Sequence, residues 1–407
     1  MKPVFLLLLI LSTSARALEG IASLESLIYK KNLDYQAQIN FVESKQALSK
    51  SGYSGFYPTL NAVGGYGQNK TDDLAVIQKG YLGYLEGRAN LFRGFKDQAL
   101  ADQKNIDAKL SALDLEFKKR DLRLQLTEVV SDMIYLHGLQ DVLQEELKVT
   151  LSQRQMAAKK VSAGLTGSVD NLELDLRENE IEIEIKQIDQ LHSENHQKLV
   201  KLFGEDLKDS ELDQVSFSEV SKIATVSKEM RSENSLSVQK AELLKSKYES
   251  EKSEAKSDFL PSLDLTYSVG RLTPSEESPT KFNESKYGIV LTVPLFSGLE
   301  TYYKSKSATQ QIAAADKLRY QAQIDVDSEF KILKSKIDEK ILLNSINNKK
   351  LNIAQKYFEL TLGEYRRGIK NSPDLVSATD RLFSSKKKKF ELLKDLEILK
   401  IKLENIY

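Results

Sequence analysis

His192 and His196 stand one helical turn apart, a spacing at which two imidazoles on one helix face can share a cation. The third histidine, His137, is remote in sequence, and there is no cysteine. Zinc needs more ligands than two, and none follows at a useful spacing, so the pair reads as a solvated helix face. No glycine-rich phosphate loop precedes a helix, and there is no nucleophile elbow. Asp and Glu are abundant, but they recur on the flanks of heptads, where carboxylates serve as the solvated sides of coiled coils. The residues therefore predict no enzyme, no metal site and no cofactor.

The remaining charge pattern excludes a second class. The chain carries 59 basic and 59 acidic residues, so no net field favours nucleic acid. Residues 1–17 have the form of an export signal. Lys2 supplies the positive end, Val4–Leu11 the apolar run, and Ala15-Arg16-Ala17 the small-x-small cleavage site. That run is too short to span a bilayer, and no other apolar run reaches spanning length. The mature chain is expected to begin near Leu18. Without cysteine it has no disulfides and no lipidated N-terminal cysteine.

Elements that place these residues come in two kinds. Phe259, Pro261, Leu263, Leu265, Tyr267 and Val269 alternate with Ser262, Asp264, Thr266 and Ser268. Tyr287, Ile289, Leu291, Val293 and Leu295 repeat the alternation, with Val290 as an exception. Period two marks strands with one apolar and one wet face. A weaker copy lies earlier, and the four predicted strands are 57–68, 81–92, 259–270 and 286–296. A hairpin alone is marginal in water, so the apolar face needs either a helix or lipid over it. Strands of this length with aromatic ends suit a tilted membrane barrel. Four strands cannot close one, because about eight is the practical minimum. Several chains must then share a barrel: three would supply twelve strands, two would supply eight. Leu263, Leu265, Tyr267, Ile289, Leu291 and Val293 are expected to face lipid.

The rest reads as long helix. Leu122, Val129, Leu136 and Leu143 stand seven apart, and Leu126, Met133 and Leu147 follow a second seam with Gln140 in the gap. Phe330, Ile337, Leu351, Phe358 and Tyr365 do the same later, with Asn344 as the polar exception. Two interleaved seven-residue rows mean coiled coil. Helices are predicted over 97–163, 169–203, 301–367 and 374–406. Ile181-Glu182-Ile183-Glu184-Ile185 alternates like a strand, but Val169, Leu172, Leu176 and Ile183 keep helical spacing through it. Short breaks at 164–168 and 368–373 read as tips of antiparallel hairpins. Gly164 and Gly368 supply left-handed caps, Ser168 and Ser372 are candidate N-caps, and Pro373 suits a first turn.

The chain is internally duplicated. Pro58 and Pro261, Leu91 and Leu295, and Gly164 and Gly368 are separated by 203, 204 and 204 residues. Residues 18–203 form one repeat, 227–407 the other, and 204–226 a polar link. Signal, duplicated halves and the strand markers Tyr57-Pro58-Thr59-Leu60, Leu260-Pro261-Ser262-Leu263, Leu91-Phe92-Arg93-Gly94 and Leu295-Phe296-Ser297-Gly298 resemble the TolC-type outer-membrane efflux protein family. The likeness covers the mature chain. Asn32-Leu33-Asp34 departs from the family's usual proline after the Asn.

That resemblance implies a mainly α fold with a small transmembrane β part. A homotrimer would share one twelve-stranded outer-membrane barrel, continuous with a coiled-coil α-helical tunnel crossing the periplasm. A periplasmic adaptor and an inner-membrane transporter would dock at the tips, placed here at Gly164, Gly167, Gly368 and Asn371. The chain would be the exit duct of a tripartite efflux or type I secretion system. The family's gate network falls on Asp170, Lys370 and Tyr365, joined within one protomer. One acidic constriction ring falls on Asp374, while Ser377 replaces the second ring's Asp and Asp380 is a candidate substitute. Read from the residues alone, a passive trimeric anchor or spacer uses the same heptads and barrel.

Overall fold

The computed structural model describes residues 24–70, 77–165, 167–206, 232–274 and 282–406. The expected export signal, 1–17, and most of the 204–226 link fall outside these residues. Residues 24–31 are helical. Then come α1 (Leu33–Ser51), β1 (Thr59–Lys70), β2 (Ile77–Arg93), α2 (Lys96–Ser162) and α3 (Val169–Phe203). The order recurs as α4 (Leu236–Ser257), β3 (Ser262–Pro274), β4 (Phe282–Thr292), α5 (Glu300–Arg366) and α6 (Ser372–Glu404). α2 and α5 each run 67 residues, or about 100 Å at 1.5 Å per residue. The Ile181–Ile185 alternation lies inside α3, so the helical spacing prevails there. Among the described residues no helix is long and apolar enough to cross a membrane.

The chain divides into two compact units that cut across the sequence repeat. One comprises residues up to Ala37, Glu116–Ser235 and Asp325–Tyr407; the other comprises Gln38–Leu115 and Leu236–Ile324.

In the second unit the two hairpins join into one antiparallel sheet, ordered β1-β2-β3-β4. Thr59↔Arg88, Arg88↔Thr266 and Thr266↔Gly288 fall in one cross-strand row, and Ala89↔Leu265↔Ile289 in the next. Because side chains alternate, this register gathers mainly apolar residues on one face and mainly polar ones on the other, with Val63, Tyr84 and Val290 as apolar or aromatic exceptions on the polar face. Leu265, Tyr267, Val269, Tyr287, Ile289 and Leu291 share one face, all exposed. Thr59, Asn61, Glu86, Arg88, Asp264, Thr266 and Lys286 share the other. Arg88 Nη2 donates to Asp264 Oδ2 at 2.7 Å, and this holds a buried carboxylate on the polar face. Of the residues expected to point outward, Val293 is also exposed and Leu263 is half-buried.

Strand ends differ from the sequence reading. β4 spans 282–292 instead of 286–296. Pro294 lacks an N–H, and pairing stops two residues before it. β1 and β3 start just after Pro58 and Pro261 for the same reason. A pair of left-handed residues then turns each hairpin into its long helix: Gly94-Phe95 (φ 59° and 68°) and Gly298-Leu299 (φ 64° and 67°). Phe95 and Leu299 are not glycines, so each turn holds strain of about 1–2 kcal/mol.

Helical seams build the first unit. Leu122, Leu126, Val129 and Val130 of α2 pack with Leu24, Ile28, Leu199, Leu202 and Phe203. Farther along, Leu136 and Leu143 meet Ile181 and Ile188 of α3. The heptad rows read from α2 are therefore its buried seams. On α3 the buried row is Leu174, Ile181, Ile188 and Leu202. Val169, Leu172, Leu176 and Ile183, which carried the helical reading, are exposed. In the second repeat, Leu333 and Ile337 of α5 meet Leu396 and Leu403 of α6, with Phe330, Leu399 and Ile406 packed against them. Gly138 of α2 faces Phe390 of α6, and any Cβ there would strike the ring.

Candidate functional site: the helical tips

Both tips are built by the same backbone device. Gly164 (φ 71°) and Gly368 (φ 77°) take the left-handed conformation just past α2 and α5. Leu165 N donates to Lys160 O at 2.9 Å, and Gly164 N to Val161 O at 3.0 Å. Ile369 N donates to Glu364 O at 3.0 Å, and Gly368 N to Tyr365 O at 3.1 Å. These paired bonds are Schellman motifs, which satisfy carbonyls that the helix end would otherwise leave open.

Caps on the other side of each tip differ from expectation. α6 begins at Ser372, and its N-cap is Asn371, whose Oδ1 accepts from Asp374 N at 3.1 Å. Ser372 is not the cap because its hydroxyl is engaged 3.2 Å from Tyr365 Oη. Ser168 precedes α3 in helical geometry with no side-chain cap bond.

Tyr365 is the best-buried member of the expected gate trio, fully buried in an extended apolar cluster that includes Phe358 of α5 and Leu375, Ala378, Leu382 and Phe383 of α6. Burial pushes its hydroxyl pKa up, the Ser372 bond opposes this, and the Asp170 carboxylate adds to it. Asp170 thus lies close enough to be felt by the phenol. The ion pair expected between Asp170 and Lys370 is not formed. Lys370 Nζ instead lies 3.7 Å from Asp374 Oδ2, one turn along its own segment, where both side chains are about two-fifths exposed. The short local reach is the cheaper arrangement for a solvated lysine. The cation that meets Tyr365 is Lys160 of α2. Its Nζ donates to Tyr365 O and stands 3.9 Å from the ring centroid. Sequence reasoning missed it; the available signal was a lysine in the last turn of α2, where cations suit the helix dipole.

Asp380, weighed as a second ring member, is committed inside the chain. Its Oδ1 lies 3.1 Å from Arg177 Nε. Ser377 and Asp374 sit on the first turns of α6, and the exposed Gly167 and Gly164 have nothing near their would-be Cβ positions. Gly368 is similarly open.

The histidines do not converge on a metal. His196 Nε2 lies 3.1 Å from Asp206 Oδ1. His192 has its pKa lowered, first by burial and then by His137 nearby. Among the described residues no group of three or more His, Asp or Glu could hold a metal ion.

Residues 229–407 match the family model described as outer membrane efflux protein. No curated protein sequence matches the chain significantly. Solved structures with the same fold include the outer-membrane channel OprN, at TM-score 0.86 and 13% identity, covering 97% of this chain and 92% of that one. CusC aligns at 0.84 with 12% identity over 95% and 92%. VceC of Vibrio cholerae aligns at 0.83 with 11% identity over 97% of each chain. The resemblance read from the sequence therefore holds: the second repeat carries the outer membrane efflux protein signature, and the whole chain has the fold of such channels. The same match gives the outer membrane as its location.

Proposed function

We propose that this chain, a relative of outer membrane efflux proteins, forms the exit duct of a tripartite efflux or type I secretion system. It acts as a homotrimer, with a periplasmic adaptor and an inner-membrane transporter at its helical tips. One observation carries the reading. The four-stranded sheet pairs β1 and β4 on one side only, and it presents one apolar face and one polar face. An exposed apolar sheet face with open edges is an aggregation hazard in water and a requirement in lipid. Three copies joined β4 to β1 close twelve strands, put Leu265, Tyr267, Ile289 and Leu291 toward acyl chains, and turn Glu86, Arg88 and Thr266 toward a wet lumen.

The helices of the same trimer form a tunnel through the periplasm, with its constriction at the tips. Tyr365, Asp170 and Lys370 belong to the closed arrangement, and Asp374, repeated threefold, makes the constriction attractive to cations. Exposed pairs such as Lys370–Asp374 are worth about 0–1 kcal/mol. Closure therefore rests on several weak links plus packing, which an adaptor docking around Gly164, Gly167, Gly368 and Asn371 can outcompete.

Planar-bilayer recording of the purified oligomer tests the reading. Cation-selective conductance is expected, with a rise when Lys370→Glu and Tyr365→Phe are combined. A stable trimer that never conducts would instead be a spacer. A monomer retaining its β-structure in mild detergent would remove the shared barrel.

A further inference from the structure

A second charged cluster lies in the first unit, away from the residues assigned to the gate. Glu146 of α2 is fully buried. Arg177 of α3 donates to it through Nη2 and to Glu180 through Nη1 at 2.9 Å. Arg177 Nε faces Asp380 of α6. Lys387 of α6 reaches Glu146 Oε2 at 3.2 Å and Glu184 of α3 at 2.6 Å. Lys386 of α6 takes Glu145 of α2 at 2.6 Å, and Arg154 of α2 takes Glu178 and Asp175 of α3 beside it. The contact that α5 makes with this stretch of α6 is neutral: Asn347 donates to Ser385 O at 3.0 Å.

At the centre two cations, Arg177 and Lys387, serve four carboxylates, Glu146, Glu180, Glu184 and Asp380. Glu146 Oε2, Arg177 Nε and Asp380 Oδ1 are buried atoms that make ion contacts without hydrogen-bond geometry. Glu146 is the buried centre, Arg177 and Lys387 are mostly covered, and Glu180, Glu184 and Asp380 form a partly exposed rim. Carboxylates crowded around a buried one are costly to keep all charged, and a proton relieves it.

We propose that this Glu146-centred cluster is a proton-sensitive latch that clamps α3 and α6 onto α2, with Arg177 and Asp380 as positioning residues for the closed tips. Asp380 is the group that takes the proton. Burial raises its pKa above the ordinary carboxylate range, Arg177 pulls it back down, and Glu146 and Glu180 push it up again. The sign follows from linkage. A carboxyl whose pKa is raised in the latched state binds protons more readily there than when released, so the latch is tightest at acid pH. It loosens as pH rises through the raised value. The tips are then more firmly closed in an acidified periplasm than in an alkaline one.

The test uses the intact oligomer, wild type and Asp380→Asn, at about pH 5 and about pH 8. Hydrogen exchange over residues 172–185 of α3, corrected for its intrinsic pH dependence, reads the latch directly. Resting bilayer conductance reads its consequence and rests on the duct proposal. Wild type should show severalfold less exchange and less resting conductance at the acid pH. Asp380→Asn, a neutral stand-in for the protonated acid, should hold the acid-like value at both. Wild-type exchange that does not change with pH, that changes in the opposite sense, or that keeps its full change in Asp380→Asn overturns the latch. Exchange that behaves as expected in a protein that never conducts upholds the latch and rejects the duct.

Discussion

The two tip hairpins occupy equivalent places in the sequence repeat and share their Schellman turns, yet they are held by different physics. Between Ser372 and Ser385, α6 buries Leu375, Ala378, Leu382 and Phe383 in one cluster with Tyr365 and Phe358 of α5, and buries Val376 and Thr379 as well. Over the matching turns of α3 only Leu174 and Ile181 are buried, and Val169, Leu172 and Leu176 stay exposed. α3 keeps only a narrow apolar seam there, Leu174 against Ala157 and Val376 and Ile181 against Leu143, and charge supplements it: Arg177 on Glu146, Arg154 on Glu178, Lys387 on Glu184. The repeat shows why. Arg177 and Arg381 are equivalent residues, 204 apart, but Arg381 stacks at 5.6 Å over Tyr357 instead of entering a carboxylate cluster. Packing gives α6 a single well-defined seat. Ion pairs give α3 a seat that depends on protonation and on competing charges. Duplication thus supplied two similar hairpins, and divergence of a few side chains separated a fixed one from an adjustable one.

The contrast can be broken experimentally, starting with the largest effect. Tyr365→Ala should destabilise the second hairpin by about 3–5 kcal/mol, the usual cost of emptying a buried aromatic site. Denaturant unfolding of the detergent-solubilised protein measures it, and a loss under about 1 kcal/mol would mean the seat is not packed as described. Arg177→Leu leaves Glu146 with Lys387 as its one close cation and should cost about 3 kcal/mol, the low end for a broken buried pair. Its signature is uneven: hydrogen exchange rises more in α3 than in α6, which keeps its apolar seat. Equal loosening of both helices would erase the distinction between them. Tyr365→Phe removes only the hydroxyl contact to Ser372, which should cost about 1 kcal/mol. A much larger loss would show that the hydroxyl, not the ring, seats the second tip. Lys370→Ala should be the smallest change, at most about 0.5 kcal/mol, because both it and Asp374 are well solvated. Thermal unfolding indistinguishable from wild type is the expected reading. A clear shift would assign Lys370 a partner beyond Asp374.

What could be read from the residues follows the range of the forces that act on them. Period-two alternation in 259–270 and seven-residue rows in α2 and α5 are local signals, so strands, long helices and their ends were legible to within a few residues. Gly164 and Gly368 announced the tips because a left-handed cap needs no distant partner. Proline set the strand starts that the alternation alone misplaced. The side-chain partners were a different matter. α3 offers two apolar rows, Val169–Leu172–Leu176–Ile183 and Leu174–Ile181–Ile188, and periodicity cannot rank them, since both have helical spacing. Only the rotation of α3 against α2 and α6 decided that the second is buried. That rotation also gave Asp380 to Arg177, and the seating of α5 against α2 gave Tyr365 to Lys160 instead of Lys370. Such choices compare long-range geometries that differ by a fraction of a turn, and no local pattern in the chain encodes that fraction.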